Sequence, residues 1–398
     1  MKRVLAAGTP SALFAAGLLL LATGLLRWDS FTELAGRTVP ILLFVVAMTV
    51  VTELADNAGV FRVVTARLAG GRRRKPGTTP TGRVLLLWLV SLGLATACTV
   101  FLSLDTTAVL VTPVVVSLAR HAKIHPLPFA LGTVWLANTA SLLLPVSNLT
   151  NLLAQHRLDV SPLGFAQLLW APAVVGVAVP AAFLFLIFRR DLRGRFAPPV
   201  VPEPADRALL VVSGVTVAVL LPALVSGIPV WIPASVAALF LLAVFVLRRT
   251  KAVRWRILPV QPVLLAMGLF LIVQALHDHG LGAALTRISG TGNGFTALLQ
   301  LAGIGALAAN GVNNLPAYLA LEPVAASPIR LAALLVGVNL GPLVSPWASL
   351  ATLLWHGRLK AMGINISWCG YALGGLAVVA VMLPLAVLAL WLAAGLPA

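Results

Sequence analysis

Long apolar runs, separated by short polar or basic segments, dominate the chain. Nine of them lie at residues 11–27, 38–56, 127–155, 164–188, 208–226, 229–247, 260–277, 329–355 and 370–395. A helix of about 20 apolar residues spans the hydrocarbon core of a bilayer. The pattern therefore predicts an all-α polytopic membrane protein with about 9–11 spans.

Polar residues interrupt two of these runs near their centres. VSNLTN at 146–151 follows Pro145, and SPWASLAT at 345–352 contains Pro346. Proline removes a backbone donor, and the ends of half-helices leave N–H and C=O groups unpaired. We therefore predict discontinuous helices over 127–155 and 329–355, whose breaks hold a polar solute or an ion.

The basic residues are distributed unevenly along the chain. Only 10% of the residues are charged, against about 25% in soluble domains. The net charge of +17 could suggest a nucleic-acid partner. If the N-terminus is cytoplasmic, however, all but five of the 28 Lys and Arg fall on the cytoplasmic side, the exceptions being Arg27, Arg37, Arg157, Arg287 and Arg330. This positive-inside pattern predicts a multi-pass protein of a prokaryotic inner cell membrane, with its C-terminus outside and no nucleic-acid partner.

Two further apolar stretches carry polar centres. FLSLDTTAVLVTP lies within 84–120, and ANGVNNLPAYLALEP lies within 294–327. The charge distribution requires both ends of each stretch to lie on the same side of the membrane. We predict two re-entrant helical hairpins whose tips face an interior site, because non-helical backbone at membrane depth must be buried in protein or line a wet cavity.

The second half of the chain repeats features of the first half. Residues 41–59 resemble 264–280, the tip around Asp105 matches the tip around Asn314, and 135–153 align without gaps on 336–354. Five crossings between the copies would invert one relative to the other. We predict a first repeat over 1–188, a basic cytoplasmic linker over 189–207 and a second repeat over 208–398. Inverted repeats with hairpins and broken helices are typical of secondary transporters, not enzymes.

Asp105 is the candidate proton-coupling residue, because an ionisable group inside a membrane is costly and usually functional. The alternative is that Asp105 caps the second hairpin arm through the N–H of Thr107 or Ala108. Candidate substrate-binding residues share a place at a hairpin tip or beside a helix break. They are Thr106, Thr107, Asn138, Ser147, Asn148, Thr150, Asn151, Asn313, Asn314, Asn339, Ser345, Ser349 and Thr352. Their alternative roles are helix capping and hydrogen bonding between helices.

Other ionisable residues have simpler interpretations. Glu53 and Asp56 are expected at the membrane interface, partly solvated. Glu322 is expected to point outward, and the alternative is a role as a proton relay. The cluster at 277–279 is expected to be structural or solvent-facing, and GRRRK at 71–75 to anchor the topology, with binding of anionic lipid as the second option. The sequence contains no metal-ligand spacing, phosphate loop or dinucleotide fingerprint, so we predict no metal and no cofactor.

Four segments resemble the ArsB-type arsenite/antimonite efflux permeases of the ion-transporter superfamily, which also includes sodium/proton antiporters and divalent-anion symporters. They are FLSLDTTAVLVTPVV, ANTASLLLPVSNLTN, VNNLPA and GVNLGPLVSPWASLATLLW. The resemblance covers nearly the whole chain. It implies the same inverted-repeat fold, and it raises a homodimer and an ArsA-type ATPase as partners. Members often have Asn-Asp-Gly at the first tip where this chain has Leu104–Thr107, so only Asp105 carries over.

The sequence and the resemblance together predict a secondary active transporter that exports arsenite or antimonite in exchange for protons, by alternating access. Arsenite at neutral pH is mostly As(OH)3, which needs hydrogen-bond donors and acceptors. Two distant cysteines cannot build a three-thiolate site, and the tips and breaks contain no Arg or Lys. This disfavours dicarboxylate or sulfate, although helix N-termini can bind anions. The alternatives are a Na+/H+ antiporter, another ion or anion transporter of the superfamily, and a channel-like component.

Overall fold

The computed structural model describes residues 2–68, 82–196, 205–248 and 257–395. Eighteen α-helices account for most of these residues. They are α1 Lys2–Ala22, α2 Trp28–Asn57, α3 Val60–Leu68, α4 Val84–Leu102, α5 Leu104–Thr106, α6 Thr112–His121, α7 Leu127–Thr139, α8 Leu149–Leu158, α9 Pro162–Phe188, α10 Arg207–Ala223, α11 Trp231–Leu247, α12 Val260–Asp278, α13 Leu281–Thr286, α14 Phe295–Val312, α15 Asn314–Leu321, α16 Pro328–Leu340, α17 Leu350–Ala361 and α18 Trp368–Ala393. One short antiparallel pair joins β1 (Gly82–Arg83) to β2 (Arg195–Phe196). The basic loop 71–75 and residues 197–204 of the predicted linker lie outside the described residues.

Within the described residues, six helices are long and apolar enough to cross a membrane, namely α2, α4, α9, α12, α14 and α18. Four shorter apolar helical segments are Pro10–Ala22, Arg207–Ala223, Trp231–Leu247 and Pro328–Leu340. The predicted all-α polytopic architecture is therefore confirmed. Which end of each helix faces the cytoplasm stays a prediction.

Each predicted hairpin bends at a single residue with unusual backbone angles. Ser103 separates α4 from α5 with φ 124° and ψ 160°, and Asn313 separates α14 from α15 with φ 105° and ψ 153°. Positive φ is uncommon outside glycine and persists where the surroundings enforce it. Each of these side chains also caps the arm that follows, accepting from the N–H of Thr106 and of Leu315 respectively. The shared geometry pairs Ser103 with Asn313, so Asp105 corresponds to Leu315.

The two predicted discontinuous helices are present. α7 ends at Thr139 and α8 begins after Asn148, whose side chain caps it with φ −152° and ψ 145°. α16 ends at Leu340 and α17 begins after Ser349, which caps it with φ −142° and ψ 151°. The cap of the second break thus lies where the gap-free alignment places it. The division into two inverted repeats and a linker stays a prediction.

The helices around the breaks pack closely because the residues at their contacts are glycines. α9 lies against α18, and α14 lies against α16. A Cβ on Gly337 would lie 2.2 Å from the carbonyl oxygen of Ala302, and a Cβ on Gly375 would lie 1.9 Å from that of Leu343. Small residues allow such backbone contact between membrane helices. Gly375 therefore lets α18 support the second break directly.

Replacing Gly375 with Ala should destabilise the protein, whereas the same change at Gly374 should not. The new methyl group at 375 would overlap backbone, while at Gly374 the nearest atom would be a Trp135 ring carbon at 3.6 Å. Overpacking of this kind costs about 1–3 kcal/mol. Thermal denaturation in detergent, followed by size-exclusion chromatography, should show a lower melting temperature for Gly375→Ala alone. Equal melting temperatures for the two variants would contradict the close contact.

Candidate functional site

A cavity of about 200 Å³ lies where both hairpin tips meet the first break, α2 and α12. The hairpins contribute 103–106 and 313–315, the first break contributes 146–149, and the α2 wall extends from Leu42 to Glu53. The polar side chains that line it are Thr49, Thr52, Glu53, Ser103, Asp105, Thr106, Ser147, Asn148, Asn313 and Asn314. No Lys, Arg or His is among its described lining residues. The cavity therefore offers hydroxyls, amides and two carboxyl groups.

Asp105 faces this cavity from the tip of the first hairpin. Its Oδ1 atom is buried, and among the described residues no group forms a hydrogen bond with it. The structure shows another cap in place of Asp105: the Thr107 N–H donates to the Ser103 carbonyl at 3.2 Å, and Ser103 Oγ accepts from the Thr106 N–H at 3.3 Å. A charged carboxylate without a partner is costly to bury, and the cost is avoided when the group binds a proton or a cation. Asp105 is thus available for coupling chemistry.

The two threonines after Asp105 have different positions. Thr106 lines the cavity, and its hydroxyl lies 3.1 Å from Ser103 Oγ. Thr107 is fully buried between the hairpin arms, where its hydroxyl lies 2.9 Å from Thr99 Oγ1 and donates to the Ser103 carbonyl at 3.2 Å. The structure therefore places Thr106 at the cavity and Thr107 inside the hairpin.

A buried amide network connects the first break to α16. Asn339 Oδ1 accepts from Asn148 Nδ2 at 2.9 Å and from the Thr150 hydroxyl at 3.0 Å. Asn339 Nδ2 donates to Asn151 Oδ1 at 2.7 Å. Only Asn148 of these four residues lines the cavity. The other three hold the break in place through hydrogen bonds between helices.

The polar backbone of the first break is satisfied by nearby side chains. Asn151 Nδ2 donates to the carbonyls of Ser141 and Leu144, at 2.6 and 3.0 Å. The hydroxyl of Ser147, which lines the cavity, donates to the Val100 carbonyl of α4 at 2.7 Å. These bonds fix the break against the first hairpin, because buried backbone groups must find partners.

At the second break, the backbone groups are satisfied by Asn310. This residue was not among the predicted site residues. Its Oδ1 accepts from the backbone N–H of Val344 and of Ser345, at 3.2 and 2.9 Å. Its Nδ2 donates to the Gly341 carbonyl at 2.8 Å, and its own carbonyl accepts from the Ser345 hydroxyl and from Trp347 Nε1. Ser345 therefore binds the second hairpin and does not line the cavity. The signal in the sequence was one amide, three positions before Asn313, within an apolar arm.

Asn313 and Asn314 combine cavity lining with contact to the second break. Asn313 Nδ2 donates to the Trp347 carbonyl, and the Asn314 N–H donates to the Ala348 carbonyl, both at 2.9 Å. Both residues line the cavity. The second hairpin tip and the second break thus form one hydrogen-bonded unit.

The remaining candidates lie between the two broken helices. Asn138 Nδ2 donates to the Val134 carbonyl at 2.9 Å and lies 3.4 Å from Thr352 Oγ1, which lies 3.1 Å from Ser349 Oγ. All three candidates are buried away from the cavity lining. Six predicted residues therefore line the cavity: Asp105, Thr106, Ser147, Asn148, Asn313 and Asn314. The other eight do not: Thr107, Asn138, Thr150, Asn151, Asn339, Ser345, Ser349 and Thr352.

The wall formed by α2 contains site residues that were not proposed from the sequence. Thr49, Thr52 and Glu53 line the cavity, at the helical spacing that places residues on one face. The hydroxyls of Thr49 and Thr52 donate to carbonyls of the preceding turn, at 2.8 and 2.9 Å. Glu53, expected only as an interfacial residue, shares the cavity with Asp105.

The expectation that Glu322 points outward was wrong. Glu322 is 4% exposed and forms an ion pair with Arg37 of α2. The Tyr318 hydroxyl donates to its carboxylate at 2.9 Å, and Arg157 of α8 donates to its backbone carbonyl at 2.6 Å. Arg37 also donates to the Leu153 carbonyl at 3.3 Å. An outward-pointing carboxylate would leave Arg37 without its counter-charge, and that cost explains the burial of Glu322.

Residues 277–279 form structural contacts. His277 Nε2 lies 3.1 Å from the Leu319 carbonyl oxygen, and Asp278 accepts from the Ser30 hydroxyl and from Gln274. Groups of three or more metal-ligating side chains are absent from the described part of the chain.

Comparison with known proteins identifies the family. The sequence profile of the citrate transporter family CitMHS matches residues 4–355. The arsenical pump membrane protein of Escherichia coli (strain K12) is 29% identical over 353 residues, covering 82% of this chain and 80% of that protein. The 46 kDa membrane protein of Mycobacterium leprae is 25% identical over 387 residues, covering 88% and 86%. The crystal structure of the YdaH transporter of Alcanivorax borkumensis shares the fold, with a TM-score of 0.60 and 18% identity over 96% of this chain and 89% of that chain. The chain therefore belongs to the CitMHS family and is a multi-pass membrane transporter.

Proposed function

We propose that the protein exports arsenite or antimonite in exchange for protons, by alternating access. The observation that carries the proposal is the cavity lining, which offers hydroxyls, amides and two carboxyl groups without a basic side chain. As(OH)3 is a small neutral triol that can donate to and accept from such groups. Relatives named arsenical pump membrane protein support the same substrate.

The lining disfavours citrate, the substrate in the family's name. Citrate carries several negative charges at neutral pH, and like charges close together in a site of low dielectric repel strongly. Glu53 and Asp105 would face the bound anion, and no basic residue of the described lining would offset them. A neutral triol avoids that repulsion.

Proton exchange is assigned to Asp105. When the carboxyl binds a proton, the cost of a buried charge is removed, and when the proton leaves, the carboxylate accepts hydrogen bonds from the hydroxyls of the solute. Proton binding and solute binding therefore compete for one group, and this competition couples the two fluxes.

The second candidate function is Na+/H+ antiport. Two carboxylates and nearby hydroxyl and amide oxygens are the hard oxygen ligands that such cations prefer. The homodimer and the ArsA-type ATPase stay predictions from the resemblance.

Transport into everted membrane vesicles tests these functions against one another. The vesicles carry an imposed pH gradient, acid inside, and uptake of antimonite, arsenite, citrate and Na+ is measured in parallel, with vesicles from cells lacking the protein as the control. We expect accumulation of the metalloids that a protonophore abolishes. Sodium uptake without metalloid uptake would select the antiporter, citrate uptake would select the substrate in the family's name, and flux indifferent to the gradient would select a channel.

A further inference from the structure

Two carboxyl groups from separate elements face the same cavity. Asp105 lies at the tip of the first hairpin, and Glu53 lies near the C-terminal end of α2. Their surroundings differ. Both residues are partly exposed, but Asp105 has a buried carboxylate oxygen without a hydrogen-bond partner among the described residues, and no such atom belongs to Glu53. Glu53 lies one turn before the end of α2 at Asn57, which makes it the candidate for exchange with solvent.

Glu53 has charged neighbours but forms no ion pair with a described residue. Asp56 of the same helix and Arg358 of α17 act on it electrostatically, and Asp56 is itself influenced by Arg62 of α3. The described residues contain two ion pairs, Arg37–Glu322 and Arg248–Asp206, so Glu53 belongs to neither. A group fixed in an ion pair would be a poor proton carrier, and Glu53 is not fixed in one.

The cavity can connect the two carboxyl groups. Its volume is about 200 Å³, and one water molecule occupies about 30 Å³ of liquid. The same wall carries the hydroxyls of Thr49, Thr52 and Thr106, whose oxygens can accept hydrogen bonds from water in the cavity. A short hydrogen-bonded chain can therefore carry a proton across the cavity.

We propose that Glu53 is a proton-relay residue that transfers protons between the cavity mouth and Asp105. This inference rests on the proposed proton exchange and adds the route. Because the exchanged protons enter the cytoplasm, and the basic residues that follow α2 are predicted to be cytoplasmic, Glu53 accepts the proton that Asp105 releases and passes it to solvent. Asp105 holds the proton that competes with solute, whereas Glu53 sets how fast that proton leaves. Loss of Glu53 should therefore slow transport without changing the accumulation that the pH gradient sustains at steady state.

Two quantities measured in everted vesicles test this proposal: the initial rate of proton-driven antimonite uptake, and the accumulation reached at steady state. We expect Glu53→Gln to lower the rate about tenfold or more, the range of a lost proton-transfer group, and to leave the final accumulation unchanged. A small membrane-permeant weak acid, such as formic or hydrazoic acid, should restore the rate, because it can carry protons between the cavity and solvent. Restoration by a weak acid would not follow from a purely structural defect.

Two further variants separate the relay from folding. Glu33→Gln is the matched control, because Glu33 is exposed on the same helix and does not line the cavity, and this variant should transport like the wild type. Glu53→Asp retains a carboxyl group and should stay within about threefold of the wild-type rate, as expected when the proton-transfer group is kept. A wild-type rate in Glu53→Gln, or an equal loss in Glu33→Gln or in Glu53→Asp, would overturn the relay. Absence of metalloid uptake in wild-type vesicles would instead overturn the proposed function.

Discussion

Replacement of Asp105 by Asn is expected to abolish proton-driven accumulation of antimonite. The amide has the shape of the carboxyl group but binds no proton at physiological pH, so proton and solute would no longer compete for one position. The protein should still fold, because the buried Oδ1 has no hydrogen-bond partner among the described residues and its replacement breaks no hydrogen bond of that atom. Uptake into everted vesicles under a pH gradient should fall to the level of vesicles that lack the protein.

Asp159→Asn is the matched control for this prediction. Asp159 follows α8 in a left-handed conformation and lies outside the described cavity lining, and Asn tolerates that backbone well. This variant should retain wild-type uptake. The amounts of both variants in the membrane, measured by size-exclusion chromatography in detergent, should match the wild type. If folded Asp105→Asn accumulates antimonite normally, Asp105 is not the coupling group and Glu53 becomes the first alternative.

The architecture could be predicted because it follows from local signals. Apolar runs of membrane length predicted the spans, and polar residues beside Pro145 and Pro346 predicted the breaks. The caps at Asn148 and Ser349 lie where the alignment of the two halves placed them. These features depend on short segments, and a short segment can be interpreted from its own residues.

The roles of individual polar residues could not be predicted in the same way. Asn313 and Asn339 are both amides near a tip or a break, yet Asn313 lines the cavity and Asn339 binds Asn148 and Asn151. The difference depends on which helix faces each amide, and that is a property of tertiary packing. A polar residue inside a membrane protein can bind solute or satisfy a neighbouring helix, and the sequence does not distinguish these cases.

The position of Glu322 also depends on tertiary packing and could not be predicted from nearby residues. Its partner Arg37 is 285 positions away in the sequence, so no local pattern indicated the ion pair. The pair joins α2 to the end of the second hairpin, while Arg157 of α8 binds the Glu322 carbonyl. The Glu322 carboxylate therefore joins α2 to the second hairpin, while α8 is joined to the same residue through its backbone carbonyl.

Glu322→Gln is expected to lower the free energy of unfolding by about 3 kcal/mol, because the change leaves the largely buried guanidinium of Arg37 without its counter-charge. Tyr318→Phe should cost about 1 kcal/mol, since it removes one hydrogen bond to the same carboxylate. Arg248→Gln, which breaks the exposed pair with Asp206, is the control and should leave the melting temperature unchanged. Thermal denaturation in detergent should rank the three variants in this order. If Glu322→Gln and Arg248→Gln have the same melting temperature, the buried pair contributes nothing to stability. The connection between α2 and the second hairpin must then come from apolar packing alone.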